Sequence, residues 1–526
     1  MAFNDLQSFV AELERLDQLR RVKAEVDPVL EITEIADRVM KSPSLEGPAG
    51  APATDRTHGG LGGRALLFEK VRGSSMPVLI NAFGSYARIR LALGCRDLDE
   101  IGDRLRQMIK PEMPGTFLER LKKLPELLRL ATFAPRSSKR GICQEVIHTD
   151  DASLLSLPIP QCWPNDGDPA SEPPQIHPPA EPIAEASGAS GRTGRYITFG
   201  GVLTQDPDSG VLNMGMYRVQ VFGPKLAAVH WHVHHDGARI YRRWTARGEK
   251  MPVAIALGGE SVLPYAATSP LPPGLSELFF AGFLNEQGIE MVAAKTIPME
   301  VPANAEIVIE GYVDPQDRFI EGPFGDHTGF YSLSGPYPVL RVTAITHRRD
   351  PVYPTTIVGY PPMEDYYLGK ATERIFLPLV QLLVPEVIDY HLPMFGAFHN
   401  CAFVKIRKEY PYQARRVIHS LWGAGQMSFS KFIVVVDEHV NVHDEQEVLF
   451  CLGANVDPRR DTVIAEGPLD ILDHAAPFEG AGSKMGIDAT RKIPGEGPVR
   501  RWPARLEMSP RIKEQVTRRW RELGLE

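Results

Sequence analysis

Between Tyr196 and His235 the chain reads YITFGGVLTQDPDSGVLNMGMYRVQVFGPKLAAVHWHVHH, and this stretch decides the fold. Three apolar runs, Tyr196–Thr204, Val211–Phe222 and Lys225–His235, follow one another with the turn QDPDSG between the first two. Strand-length runs punctuated by turn residues predict consecutive antiparallel strands. Further β signals at Met251–Leu257, Ile289–Lys295 and Ala305–Tyr312 surround one helix, Ser276–Leu284. A barrel-like β domain with a helical excursion is expected over residues 141–335. Within it, Pro164–Arg195 is rich in Pro, Ala, Ser, Gly and Glu, and reads as a flexible surface insertion with little to bury.

On the N-terminal side, Asn4 or Asp5 can cap a helix carrying Leu6, Phe9, Val10, Leu13 and Leu16 at helical spacing. A second helix follows Pro28, with Ile32, Ile35 and Met40 on one side, and Ser42–Gly63 reads as a flexible excursion. Ala65–Val71 and Pro77–Ala82 read as strands, Leu98–Ile109 and Thr116–Leu130 as amphipathic helices. Residues 1–140 are thus expected to form an α/β domain. On the C-terminal side strand and helix alternate again. Strands are expected at Val339–His347, Val352–Val358, Ala402–Ile406, Lys431–Asp437 and Asp461–Ala465, and helices at Thr372–Leu383, Tyr412–Trp422 and Asp444–Leu452. They make a second α/β domain, residues 336–500, followed in 501–526 by a charged amphipathic helix, Ser509–Leu525, suited to packing on another subunit. The class is a multidomain α/β protein.

A chain of 526 residues exceeds what one core of roughly 250–300 residues supports, so two or three domains are expected. With 58 Lys and Arg against 66 Asp and Glu, the net charge is −8, and no basic stripe points to nucleic acid. Apolar runs such as Phe432–Val436 fall far short of the roughly 20 residues of a membrane helix. MAFNDLQSF lacks the basic, apolar character of a signal peptide. Five scattered cysteines without a CxxC pair argue for reduced thiols and a cytoplasmic protein. An apolar substrate would still bring the protein to a membrane surface.

Two stretches carry chemistry. EGPFGDHTG, Glu321–Gly329, sets two carboxylates five residues apart in a frame of Gly and Pro that predicts a loop. If Glu321 and Asp326 share a pocket, like-charge repulsion and burial raise one pKa, leaving one proton donor and one lasting anion. A solvated acidic turn is the plain alternative. In HWHVHHDGA, His230–Ala238, strand alternation puts His230, His232 and His234 on one face, a pattern that suits a ligand or metal site. Single structural roles for each histidine are the alternative. Upstream, NMGMYR adds Asn213 and Arg218, with Gly215 leaving room at the backbone.

Together with YITFGGV, LSELFFAG and GSKMGIDAT, these motifs in this order resemble the UbiD family of (de)carboxylases, from LEITEIADR to GSKMGIDATRKIPGE. The resemblance implies an N-terminal α/β region, a central split β-barrel like that of flavin reductases, and a C-terminal α/β domain that helps form a homo-oligomer, a dimer or hexamer. It implies prenylated FMN with Mn²⁺ or Mg²⁺, K⁺ as a further candidate, and a flavin prenyltransferase as cofactor supplier. Metal ligands would fall on Asn213, His234 and Glu277, an oxygen-rich set. Cofactor contacts would fall on Met216, Tyr217, Arg218, His230, Trp231, His232, His235, Asp236 and Lys484. Alone, Glu277 reads as an acid at a helix N-terminus and Lys484 as a loop cation. The implied catalytic trio is Arg218, Glu321 and Asp326. Arg218 would meet the substrate carboxylate or the cofactor, Glu321 would hold Arg218, and Asp326 would transfer the proton.

The implied reaction is non-oxidative decarboxylation of an aromatic or α,β-unsaturated acid. With Asp at 326 the chain resembles the family branch acting on polyprenyl-hydroxybenzoates, which implies first a 4-hydroxy-3-polyprenylbenzoate-type acid of quinone (ubiquinone) biosynthesis. The His-rich HWHVHHDGA looks more like other branches, which implies instead a menaquinone-pathway naphthoate or a simple phenolic or heteroaromatic acid. A flavin reductase-like oxidoreductase on the same barrel is the reading from another class.

Overall fold

The computed structural model describes residues 2–109, 129–173, 193–397, 400–498 and 500–525. At its centre lies a nine-stranded sheet. Its path runs Tyr196–Ile197, Val219–Gly223, Leu226–Val229, Gly335–His347, Ile307–Glu321, Met251–Leu257, Gly201–Gln205, Leu212–Met216, with Val146–His148 added beside Gly335–His347. All of its pairings are antiparallel, and the sheet curls as a half-barrel. Met251–Leu257 is buried at every position, which is why it reads as an unbroken apolar run.

The expected meander is cut at two places. Tyr196–Thr204 splits into two strands, and Val211–Phe222 breaks at Tyr217 and Arg218. The first piece of each run pairs with the second piece of the other, so Tyr196–Ile197 and Leu212–Met216 end up at opposite ends of the path. The break frees Tyr217 and Arg218 from strand alternation. The third run also stops early, at Val229, and a helix nobody would read from alternation, Asp236–Arg247, begins beyond His235. Its buried stripe of Ala238, Ile240 and Tyr241 is short, and four arginines mask it.

The N-terminal sheet has four strands in the order Leu19–Val26, Ala65–Val71, Val78–Ile80, Tyr353–Pro354. The C-terminal sheet has five, Val387–His391, Cys401–Ile406, Phe432–Asp437, Ala481–Asp488, Thr462–Pro468. Leu19–Val26, Val387–His391 and Ala481–Asp488 are strands that sequence reading passes over. Val352–Val358 shrinks to Tyr353–Pro354, and the helix expected from Thr372 starts at Glu364. Most of Thr116–Leu130 and of the 164–195 insertion lies outside the described residues. The tail helix is Pro510–Arg519, with no buried residue.

Helix Glu364–Leu383 ties the parts together. Tyr366, Tyr367, Ala371, Ile375 and Phe376 share one core with Tyr86, Leu98, Ile101 and Leu105 of the N-terminal helices. A Cβ at Gly102 would come within 2.9 Å of the Arg374 carbonyl, so only glycine lets the two helices approach this closely. On its other side the helix carries a buried ionic cluster. Glu373, His391 and His443 present ligand-type atoms all within 4.8 Å of one another. Lys370 Nζ stands 2.6 Å from Glu373 Oε2 and 2.9 Å from His391 Nδ1, so an ammonium group already supplies the cation there.

Removing one partner of a buried pair strands the other charge, at a cost of about 3–5 kcal/mol. Lys370 and Glu373 side chains are 1% and 0% exposed. Glu373→Ala is therefore expected to lower unfolding stability in urea by about that amount, and the double change Lys370→Met with Glu373→Leu by clearly less. A loss under about 1 kcal/mol for Glu373→Ala would contradict this view of the junction.

Candidate active site

The break at Tyr217–Arg218 sits beside the end of the long strand Ile307–Glu321. Glu321 is its last residue, so it belongs to a strand end where a loop is expected. Gly322 follows with φ of +94°, a conformation that favours glycine, and its N–H donates to the Gln220 side chain at 2.8 Å. The chain then folds back through Phe324–Gly325, paired with Tyr331–Ser332. At Gly325 a Cβ would overlap the Trp163 ring at 2.1 Å. These turns return Asp326 to the same guanidinium that Glu321 holds.

Arg218 donates through Nε to Glu321 Oε1 at 2.8 Å and through Nη2 to Glu321 Oε2 at 3.0 Å. Its Nη1 donates to Asp326 Oδ2 at 2.5 Å. The guanidinium lies 4.8 Å from the Phe324 ring centre. The bidentate pair fixes the guanidinium plane, a geometry lysine could not supply. Glu321 Oε2 also meets His230 Nδ1 at 2.7 Å, and His230 stacks on Tyr337 at 4.0 Å. Asp326 Oδ1 accepts from His327 N at 2.8 Å and meets His327 Nδ1 at 3.0 Å.

The three implied catalytic residues thus meet in one cluster, with a charge pattern that differs from expectation. Burial pushes the Glu321 carboxyl up, but the Arg218 charge and then His230 outweigh it and hold the group at about 2. Burial likewise opposes ionisation of Asp326, and His327 and Arg218 outweigh it, holding the carboxyl below the ordinary range. Neither acid is raised, because a guanidinium stands between them and screens their repulsion. The proton rests instead on His327. Burial works against its charge, and the Asp326 carboxylate overcomes this and pushes the imidazole up to about 9.

The histidine stretch is not a strand, and the one face expected for His230, His232 and His234 does not form. His230 Nε2 meets His232 Nε2 at 2.5 Å, and His232 stacks on His235 at 4.7 Å between ring centres. Burial lowers all three, His235 to about 4, so the stack is neutral at ordinary pH. His234 is exposed on the turn, 4.8 Å from the Phe429 ring of the C-terminal region. Phe429 follows Ser428, whose carbonyl accepts from the buried Lys484 Nζ, so Lys484 belongs to a strand behind the rim rather than to a loop.

Of the implied metal ligands, Asn213 and Glu277 touch. Asn213 Nδ2 donates to Glu277 Oε1 at 2.9 Å, while Glu277 Oε2 accepts from Met214 N at 2.8 Å. Ser276 caps the helix Glu277–Asn285 and so aims Glu277 inward. No contact joins His234 to that pair among the described residues. Beside Asn213 a cavity of about 210 Å³ is lined by Asp236, Arg239 and Arg243. Arg239 Nε and Trp231 Nε1 are buried donors without an acceptor. An orphaned arginine donor lining a cavity with the amide of a carboxylate–amide pair, with a second orphaned donor at Trp231 beside Gly237, suits an anionic, phosphate-bearing group bound with a hard cation. Tyr217 packs near both ends of this region, on His235 at 5.0 Å and on Trp231 at 6.3 Å, and Met216 ends its strand by donating N–H to the Ala267 carbonyl.

Sequence reasoning missed His327, Tyr337, Phe324 and Arg239. His327 carried a visible signal, adjacency to Asp326, and Arg239 stands three residues beyond Asp236, to which its Nη2 donates at 2.5 Å. Tyr337 carried none.

Three segments match the models of one family. Residues 10–105 match the N-terminal domain of 3-octaprenyl-4-hydroxybenzoate carboxy-lyase (UbiD), 135–361 its Rift-related domain, and 366–489 its C-terminal domain. An uncharacterized protein of Aquifex aeolicus is 49% identical over 525 residues, covering 100% of this chain and 99% of that one. Among solved structures, an evolved dimeric form of the UbiD-class enzyme HmfF from Pelotomaculum thermopropionicum, in complex with prFMN, is 27% identical with a TM-score of 0.71, over 97% of this chain and 98% of that one. The vanillic acid decarboxylase of Sedimentibacter hydroxybenzoicus in closed form is 25% identical with a TM-score of 0.77, over 100% of both chains.

Arg218→Ala removes the charge that keeps two buried carboxylates ionised. At pH 7 it is expected to cost about 3–5 kcal/mol. In the wild type both folded pKa values lie below those of the unfolded chain, so this contribution stays full from pH 7 to 5 and falls only below that. In the variant the unpaired acids take up protons, and its stability rises as pH falls. The gap between the two proteins, measured by urea unfolding, should therefore shrink from pH 7 to pH 5, and a constant gap would contradict the charge assignment.

Proposed function

Because the chain belongs to the UbiD family of carboxy-lyases, we propose that it releases carbon dioxide from an aromatic acid with the help of prenylated FMN, and that its substrate is of the 4-hydroxy-3-polyprenylbenzoate type. The observation that carries this reading is the Arg218 clamp, a fixed cation with a carboxylate on each side. Glu321, with a fully buried side chain, acts as the anchor. Asp326, 11% exposed, is the acid that faces an incoming ligand. The carboxylate of the substrate competes with Asp326 for Arg218, and Asp326 so released is positioned to hand a proton to the carbon that carbon dioxide leaves. Water is kept from Glu321 by His230 and Tyr337.

When bound, the cofactor supplies the electron sink for decarboxylation. Trp231, Arg239 and the Tyr217–His235 wall would hold it, and Asn213 with Glu277 would hold Mn²⁺ or Mg²⁺ near its phosphate. On this reading His234 serves from the rim, and the buried Lys484 serves from the strand behind it. Exposed rings border the Asp326 turn: Phe330 packs on His474 at 4.2 Å, and Tyr360 faces Phe395 at 5.6 Å. Phe330, Tyr360 and Phe395 are each more than half exposed, a wall suited to an aromatic acid with an apolar substituent. A simple phenolic acid is the second reading, favoured by the likeness to a vanillic acid decarboxylase along the whole chain. No described helix is long and apolar enough to cross a membrane. The exposed Leu449, Phe450 and Ile464 of the C-terminal region support a homo-oligomer.

Asp326→Asn and Arg218→Ala, loaded with cofactor, are expected to lose at least about 100-fold in turnover while retaining bound flavin. Carbon dioxide release should be measured on 4-hydroxybenzoates with and without a prenyl chain, and on vanillate. Near wild-type turnover by either variant would overturn the roles, and a preference for the unprenylated acids would replace the first substrate by the second.

A further inference from the structure

Each decarboxylation consumes one proton, yet Asp326 is an anion in the clamp, held by Arg218 on one oxygen and by His327 on the other. Resting on the functional reading above, we propose that His327 is a positioning residue that stores this proton and delivers it to Asp326 through the existing Nδ1···Oδ1 contact.

Solvent access is graded along the cluster. Side-chain exposure rises from 0% at Glu321 to 11% at Asp326 and 22% at His327. His327 is thus the member of the chain that can be recharged from water, and Asp326 the member that reaches inward. Among the described residues, the acids that face His327 come from three elements: Asp326 on its own turn, Asp365 at the start of helix Glu364–Leu383, and Asp470 beyond the strand Thr462–Pro468. All three are acids and favour the imidazolium, and Asp365 Oδ2 is buried without a hydrogen-bond donor. Arg218 bonds the other oxygen of Asp326.

The step balances as follows. The bond to the carboxyl carbon breaks, carbon dioxide leaves, and the electron pair of that bond ends in the new C–H bond at the ring carbon. Asp326 supplies the proton of the new C–H bond, and His327 takes its next proton from solvent. While Arg218 holds Asp326, the proton stays on the imidazole. As the substrate carboxylate takes over Arg218 Nη1, Asp326 loses that bond, its affinity for a proton rises, and the proton crosses.

The test combines a titration without cofactor and a rate profile with it. Imidazole titration of ¹³C-histidine-labelled, cofactor-free protein, assigned with His327→Asn, should place His327 at about 9, and Asp326→Asn should bring it back toward its ordinary value of about 6.5. In the loaded enzyme kcat should fall as pH rises through about 9. His327→Asn should lower kcat about 100-fold and abolish that basic limb. A His327 midpoint below 7, or a His327→Asn enzyme that keeps the limb, overturns the proposal, since a merely structural role lowers the rate without moving the profile. If the loaded wild type releases no carbon dioxide from any acid, the functional reading fails and the proton delivery with it, whereas the titration alone still decides the ion pair.

Discussion

A guanidinium only 7% exposed, bonded on both flanks by carboxylates, is the constraint on which the centre of this protein depends. Taking such charges out of water costs several kcal/mol per ion, and close, well-aligned bonds must offset it. Arg218 supplies three such bonds, and the backbone is arranged to make them possible. The strand pair around Tyr217–Arg218 is interrupted, the strand Ile307–Glu321 runs for 15 residues to bring Glu321 into place, and Gly322 and Gly325 fold the chain so that Asp326 follows. A sheet with regular strands here would have pointed Arg218 along the alternation and left its partners apart.

The electrostatics then divide the site in two. Around Arg218 the charges are balanced, with two anions facing one guanidinium and one imidazolium. Around His230, His232 and His235 burial removes charge altogether. Neutral stacked imidazoles and the orphaned Trp231 and Arg239 donors suit a planar, anionic group better than a proton relay. A similar balance at Lys370 and Glu373 closes the junction between the helix Glu364–Leu383 and the C-terminal sheet.

What was legible in the sequence follows from what each signal encodes. Apolar runs marked most strands because half-barrel strands such as Met251–Leu257 are buried on both faces. Leu19–Val26 was hidden because six of its eight residues are not buried, and Ala481–Asp488 because Gly and Lys interrupt it. The trio Arg218, Glu321 and Asp326 was reached through motifs in order, and its geometry agrees with that grouping. Their protonation was not legible, since it depends on a guanidinium standing between two acids that lie more than 100 residues away from it. The alternation argument failed at His230–His235 for a physical reason: the strand ends at Val229, where the backbone turns to start the helix Asp236–Arg247.

If this cluster serves a modified flavin, that flavin copurifies with the protein from cells that also make a flavin prenyltransferase, and its mass and absorption spectrum identify it. The expected mass is that of prenylated FMN, bound together with a divalent metal. Plain FMN, or no flavin at all, from those cells would contradict it.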